Sequence, residues 1–252
     1  MNASRVAVIT GASSGIGWEL AKVLAREGYR LGLVARRRES LAQLAEEIRL
    51  DGGTAEFEPA DVANREELVG AIRRLIERLG PVDLLVANAG VGHETMVDPL
   101  NVDRIEEMIR VNYLGAIYAI EAVLPEMLHR GRGHIAGVAS LAAYKGFPGQ
   151  QGYCASKAAL KTFLEGLRIQ LRHRGIAVTT ICPGFVHTPM TAQHRFGMPF
   201  VMTAHEAAQR IARALRRRKK VFNFPWQTER LAKFTYWVPD WIIARALRHT
   251  FR

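Results

Sequence analysis

Cysteine is nearly absent: Cys154 and Cys182 are the only two in 252 residues, and neither stands in a CxxC or Cys/His spacing. That excludes a disulfide framework and a structural zinc site as the source of the fold, and it suits a reducing compartment. No metal site is expected. No uninterrupted apolar run reaches the length of a membrane span. The first residues, MNASRVAVIT, enter a strand-like segment without the charged region, apolar stretch and cleavage site of a signal peptide. A cytoplasmic location is therefore the expectation. Internal repeats and low-complexity linkers are also lacking, and 48% hydrophobic with 23% charged residues is ordinary for a globular chain. Acidic residues are in short supply: 24 Asp/Glu against 35 Lys/Arg give a formal charge of +11. The excess gathers late, since residues 205–252 hold 12 Lys/Arg and 3 Asp/Glu.

What is present is an alternation of short β-branched runs with longer amphipathic patterns, the mark of a parallel sheet with crossover helices. RVAVIT, RLGLVA, TAEFEP, DLLVAN, HIAGVAS and AVTTICP read as strands, and KVFNF as a short late one. Helical patterns run over residues 16–27, 39–50, 65–79, 102–129, 152–174 and 204–217. The fold class that follows is α/β: a single Rossmann-like, doubly wound domain over residues 1–225, three layers deep, with ligands at the carboxyl ends of its strands. A loop rich in Gly, Pro, Met and Phe, about residues 184–203, follows a strand end and suits a substrate cover. Residues 226–252 form an amphipathic basic and aromatic extension broken near Pro239.

Directly after the first strand stands TGASSGIG, Thr10 to Gly17. Gly11 permits a tight turn, Gly15 a close approach of backbone to phosphate, and Gly17 tight packing of the next helix, whose first amides attract an anion. The strand before and the helix after supply the context that such a turn needs to be read as a nucleotide site. Further on, Tyr153 and Lys157 stand four residues apart in a helical pattern and share one helix face. A free tyrosine is a poor acid near neutrality unless a positive charge favours its phenolate. The pair alone reads more readily as a helix surface than as a site.

Together, TGASSGIG, ANAG at 87–90, Asn112, Ser140, YCASK at 153–157 and PGFVHTP at 183–189 stand in an order and spacing that resemble those of the short-chain dehydrogenase/reductase family. The likeness spans Val6 to about Met190. It implies a catalytic tetrad of Asn112, Ser140, Tyr153 and Lys157 for interconversion of a carbonyl and a secondary alcohol. In that scheme Tyr153 exchanges the proton and Ser140 bonds the same oxygen. Lys157 holds the nicotinamide ribose and lowers the Tyr153 pKa, while Asn112 interrupts its helix and holds a water. The implied cofactor contacts are Gly11, Ser13, Ser14, Gly15, Ile16 and Gly17 in the turn, and Asp61 and Val62 beside the adenine. Asn88, Ala89 and Gly90 follow at the ribose and diphosphate, with Tyr153 and Lys157, and then Pro183, Gly184, Val186 and Thr188 near the nicotinamide.

In the family an acid at the end of the second strand selects NAD(H). This chain has ARRR at 35–38 and no acid, so Arg36, helped by Arg37 and Ser13, is expected to bind a 2'-phosphate and favour NADP(H) over NAD(H). The resemblance further implies a homodimer or homotetramer built on the helices over 102–129 and 152–174. Phe147, Phe196, Met198 and Phe200 near the lid suggest an apolar, lipid-like, steroid-like or acyl substrate. An NADP(H)-binding redox sensor or a membrane-associated adaptor without turnover is the alternative. RRRKK before VFNFPWQ invites a nucleic-acid reading, but a solvated helix end followed by the last strand accounts for it, and no nucleic-acid partner is expected. Leu231, Phe234, Trp237, Trp241 and Ile242, flanked by Arg230, Lys233, Arg245, Arg248 and Arg252, suit packing on the protein or a second subunit, with peripheral contact to an anionic membrane surface as the other option. Cys154 is expected to be a small packing residue.

Overall fold

A computed structural model describes residues 5–193 and 200–246 of the chain. Short β-branched runs bounded by glycine turns form seven parallel strands of one sheet. In chain order the first part comprises β1 (Val6–Thr10), α1 (Gly15–Arg26), β2 (Arg30–Ala35), α2 (Arg38–Leu50), β3 (Thr54–Pro59), α3 (Arg65–Leu79) and β4 (Leu84–Ala87). The second comprises α4 (Val102–Ile109), a π-helical turn at Arg110–Leu114, α5 (Gly115–Arg130), β5 (Gly133–Val138), α6 (Gln151–Gln170) and β6 (Ile176–Pro183). Two short strands, β7 (Val186–His187) and β8 (Met202–Thr203), pair with each other beyond the sheet, and α7 (Ala204–Arg216), β9 (Val221–Phe224), α8 (Trp226–Trp237) and α9 (Asp240–Ala246) complete the described chain.

The strand order is β3-β2-β1-β4-β5-β6-β9, so the winding reverses between β1 and β4. A reversal separates two consecutive crossovers and leaves a crevice at the carboxyl ends of the central strands. The strands carry apolar side chains on both faces, as a sheet covered twice requires. One apolar layer joins Ile9, Leu31 and Leu33 to Leu20 and Leu24 of α1, Leu41 and Leu44 of α2 and Ile211 of α7. The opposite layer joins Val8, Leu85 and Ile135 to Leu68, Ile72 and Leu75 of α3, Ile120 of α5 and Leu160 and Leu164 of α6.

Local chemistry sets the helix ends. The Asn64 side chain accepts from the Glu67 amide at 3.2 Å and starts α3. Thr203 and Glu206 bond reciprocally at the start of α7 as a capping box. The extension is partly docked on the domain: Ala232 of α8 packs near Leu141 and Cys182, and Asn223 bonds Tyr144 (3.0 Å) and Glu229 (2.9 Å). Lys145 donates to the Val238 carbonyl at 3.0 Å and to Asp240 at 3.1 Å, fastening the break between α8 and α9. Its outward face keeps Phe234, Trp237 and Trp241 67–81% exposed. Among the described residues no helix is long and apolar enough to cross a membrane.

Three details depart from the sequence reading. The long pattern over 102–129 is split by the π turn, α6 stops at Gln170 rather than Arg174, and the loop after β6 contains the β7–β8 pair and a helical turn at Thr191–Gln193. Phe196, Met198, Arg248 and Arg252 lie outside the described residues.

Candidate active site

The first βα turn is shaped by what its glycines lack. Gly11 and Gly15 hold φ of +68° and +58°, a left-handed conformation that L side chains rarely adopt. A Cβ on Gly11 would stand 2.7 Å from the Ala89 Cα, and one on Gly17 would stand 2.3 Å from the Gly11 carbonyl oxygen. The end of β4 locks onto this turn. Asn88 donates through its side-chain amide to the Thr10 and Gly11 carbonyls at 3.0 and 3.2 Å, and the Asn88 and Ala89 amides donate to the Thr10 hydroxyl oxygen.

The crevice is a cavity of about 400 Å³ at the carboxyl edge. Ser13, Ser14, Gly15 and Ile16 line its start, with Arg36 and Arg37 from the end of β2. Asp61 and Val62 follow from the loop after β3, Asn88, Ala89 and Gly90 after β4, and Pro183, Gly184, Val186 and Thr188 after β6. Gly11, Ser140, Tyr153 and Lys157 border the same space. Gly17 is buried beneath the wall, where it packs α1 against the turn. A glycine cradle with no Cβ, backed by the first amides of a 12-residue helix, fits the diphosphate of a dinucleotide. Arg37 is tied to Ser13, donating from Nε and Nη2 to the hydroxyl oxygen at 3.2 and 3.0 Å. Arg36 is exposed at the same rim.

On the other side of the cavity, Ser140 ends the β5 segment and caps a short helical turn, its hydroxyl oxygen accepting from the Ala142 amide at 3.1 Å. Helix α6 returns beside that strand end and brings Tyr153, hydrogen-bonded to Ser140, to the cavity. Lys157, 3% exposed, donates to the Val138 carbonyl at 2.9 Å, and its Nζ lies 5.8 Å from the centroid of the Tyr153 ring. Burial drives both groups toward their neutral forms: Tyr153 is pushed up to about 12, against the pull of the Ser140 bond, and Lys157 down to about 8. The net rise runs against the expectation that the Tyr153 pKa is lowered: burial is its first cause, and Ser140 supplies the opposing pull. A phenol buried in this way stays protonated near neutral pH.

Asn112 lies beneath this group rather than on the cavity wall. The π turn inserts an extra residue at Arg110–Leu114, with the Gly115 amide bonding the Arg110 carbonyl, and so opens the helix at Asn112. Its side chain is committed elsewhere. Oδ1 accepts from the Val91 amide at 2.8 Å, and Nδ2 donates to the Val91 carbonyl and to the Ser156 hydroxyl oxygen, both at 2.9 Å. Both Nδ2 hydrogens are thereby used. A Cβ on Gly90 would meet Asn112 Oδ1 at 3.1 Å and Lys157 Nζ at 3.2 Å, so that glycine lets the ANAG turn close over both.

Sequence reasoning missed Ser156 and Thr10. Both lie inside or beside the motifs already singled out, and only the fold shows that each serves a neighbour. Gly92 and Met190 were also missed: a Cβ on Gly92 would stand 3.6 Å from both the Met190 sulfur and the Tyr153 ring. Cys154 and Cys182 are buried, with thiol pKa values raised by desolvation, which leaves neither poised as a nucleophile.

The comparisons agree with this architecture. A family model described as short chain dehydrogenase matches residues 5–198. An uncharacterized oxidoreductase of Myxococcus xanthus is 44% identical over 223 residues, covering 88% of each chain. An alcohol dehydrogenase from the archaeon Thermococcus sibiricus, solved with 5-hydroxy-NADP, aligns with a TM-score of 0.78 and 30% identity over 87% of this chain and 94% of its own. A short chain dehydrogenase/reductase from Burkholderia phymatum, solved with NAD, aligns with a TM-score of 0.80 and 25% identity over 87% of this chain and 88% of its own.

Proposed function

The chain belongs to the short-chain dehydrogenases, and from that premise we propose that it is an NADP(H)-dependent oxidoreductase interconverting a carbonyl and a secondary alcohol. The observation that carries this reading is one cavity bordered at one end by the Gly11–Gly15 cradle and at the other by Ser140, Tyr153 and Lys157. Bound nicotinamide supplies or accepts the hydride; the remaining work belongs to the chain. The cradle and the first amides of α1 hold the diphosphate, and Lys157 engages the ribose hydroxyls. Ser140 donates to the carbonyl oxygen and orients it, while the protonated Tyr153 phenol delivers the proton as charge develops on that oxygen. Asn112 keeps the ANAG turn and α6 in register through Val91 and Ser156.

The choice of NADP(H) rests on Arg36 and Arg37 at the end of β2, where no carboxylate opposes a 2'-phosphate. An apolar substrate suits Gly92 and Met190 near Tyr153, and the exposed Phe200 and Val201 in the segment after β7 add apolar surface. A homo-oligomer in the cytoplasm completes the proposal. The test is oxidation of NADPH and of NADH across a panel of apolar ketones and acyl carbonyls, with Tyr153→Phe beside the parent. Turnover with NADPH that falls by about 100-fold or more in the variant, with NADPH binding retained, is expected. Binding of NADPH without turnover on any carbonyl would favour the redox-sensor alternative.

A further inference from the structure

The positive charge that the sequence places in the tail is gathered by the fold onto one edge of the sheet. The run Arg216–Lys220 joins the end of α7 to the start of β9. Arg216 pairs with Glu27 at the end of α1 (3.1 Å), Arg218 lies within electrostatic reach of both Tyr29 and His134, and the Lys220 carbonyl accepts from the Thr180 amide of β6 at 3.0 Å. The segment therefore crosses beneath the amino ends of the strands. Arg5 and Arg30 enter β1 and β2 on that edge, and Arg132, Arg172 and Arg174 enter β5 and β6.

Arg132, Arg172, Arg174 and the run 217–220 are exposed and have no ion pair among the described residues. Glu27, Asp51 and Asp83 in the same loops are already bonded, to Arg216, Arg26 and Arg130. From β2 to β6 the strands start at nearly matched levels, Val6 opposite Arg30 and Gly133 opposite Ile176, which makes the edge level across roughly 19 Å; β9 begins higher, opposite Thr180.

We propose that this amino edge is a docking surface for an anionic lipid bilayer. Its unpaired cations are spread along a broad edge, which suits a laterally continuous layer of phosphate headgroups. The large exposed aromatic side chains that could stack on bases, including Trp226, Phe234, Trp237 and Trp241, all belong to segments leaving the carboxyl edge, so single-stranded nucleic acid finds no platform here. Leu50 and Ile169 are large exposed apolar side chains at helix ends on the amino side, and they offer shallow contacts among the headgroups. In the docked state the mouth of the active site points away from the bilayer, so the substrate enters from the aqueous side.

The test is co-sedimentation of the full chain with phosphatidylglycerol vesicles and with phosphatidylcholine vesicles, at low salt and at about 0.5 M salt, where the Debye length falls to a few Å. Arg217→Glu with Lys220→Glu, and separately Arg174→Glu with Arg132→Glu, probe two different parts of the edge; Phe234→Ser with Trp237→Ser probes the tail. Circular dichroism and melting temperature establish that each variant folds. Expected are binding to phosphatidylglycerol alone, its loss at high salt, at least a tenfold weakening in each charge-reversal pair and no change in the tail pair. Equal binding to both lipids, loss confined to the tail pair, or binding of duplex DNA by the same cations with none to vesicles would overturn the proposal.

Discussion

The side-chain amide of Asn112, in the π turn before α5, donates to the hydroxyl oxygen of Ser156 in α6 at 2.9 Å, and that hydroxyl donates in turn to the Tyr153 carbonyl at 2.8 Å. Ser156 is completely buried and stands between Tyr153 and Lys157 in sequence. One hydroxyl thus couples the opened helix to the turn that carries Tyr153.

Ser156→Ala removes the acceptor of one Asn112 N–H and leaves it buried and unpaired, a loss of about 1–3 kcal/mol. The expected outcome is a lower melting temperature and a kcat reduced roughly fivefold to tenfold for a bond of this size, with the cofactor KM little changed. Ser156→Cys, nearly the same shape with a weaker hydrogen bond, should fall between the two. Unaltered kcat in Ser156→Ala would mean that Val91 alone holds Asn112 in place.

The end of β2 separates two arginines by what they already touch. Arg37 spends its guanidinium on Ser13, while Arg36 keeps its donors at the exposed rim. Arg36→Asp should therefore weaken NADPH by roughly 10–100-fold, the range of one or two charge-assisted hydrogen bonds, and improve NADH by removing a cation and adding a ribose acceptor. Arg37→Ala should act less, through a loosened Ser13. Titration of both cofactors by protein fluorescence checks this, and an unchanged ratio in Arg36→Asp would remove Arg36 from the phosphate site.

Lys157 should cost stability where it is charged. Its pKa falls from 10.5 to about 8 because it is desolvated. Below pH 8 folded and unfolded chains both hold the proton, and the folded chain bears the full expense of burying it. Between about 8 and 10.5 only the unfolded chain keeps the proton, so stability rises with pH through that window. Lys157→Met should unfold at higher urea at pH 7, by about 2 kcal/mol after allowing for the lost bond to Val138, and the advantage should shrink toward pH 10.5. Activity should be lost at every pH. A variant less stable than the parent at pH 7 would contradict the desolvation account.

Much of the fold was readable because the signals were local. Val6–Thr10, TGASSGIG and the helix behind it give a strand, a glycine turn and an amphipathic helix pattern that each point the same way, and the seven sheet strands lie within a residue or two of their apolar runs. The split of 102–129 was not readable, since a π turn leaves no hydrophobic period of its own and Asn112 there is held by Val91, 21 residues away. The direction of the Tyr153 and Lys157 shifts was equally hidden: four residues on one face predict proximity, but burial of the whole face is a tertiary property. The basic edge was the largest gap. Sequence groups Arg216–Lys220 with the tail, whereas the crossover beneath the sheet sets that run beside loops from the other half of the chain.

That crossing also governs the acid limb of stability. His134 begins the β5 ladder, is 7% exposed and has its Nε2 2.8 Å from the Thr179 hydroxyl on β6. Its pKa is lowered from 6.5 to about 4, first by burial and then by Arg218 in the basic run. Above 6.5 the ring is neutral in both states and the folded chain keeps its full stability. As pH falls from 6.5 to 4 the unfolded chain takes up a proton that the folded chain refuses, so stability is lost through that window by about 3 kcal/mol. His134→Gln retains an amide able to bond Thr179 and cannot titrate. Urea unfolding at pH 7 and pH 4.5 should show a drop in the parent that exceeds the drop in the variant by most of that amount. If parent and variant lose equal stability on acidification, His134 does not set the acid limb, and the carboxylates paired around the amino edge, Glu27 and Asp83 among them, become the groups to examine.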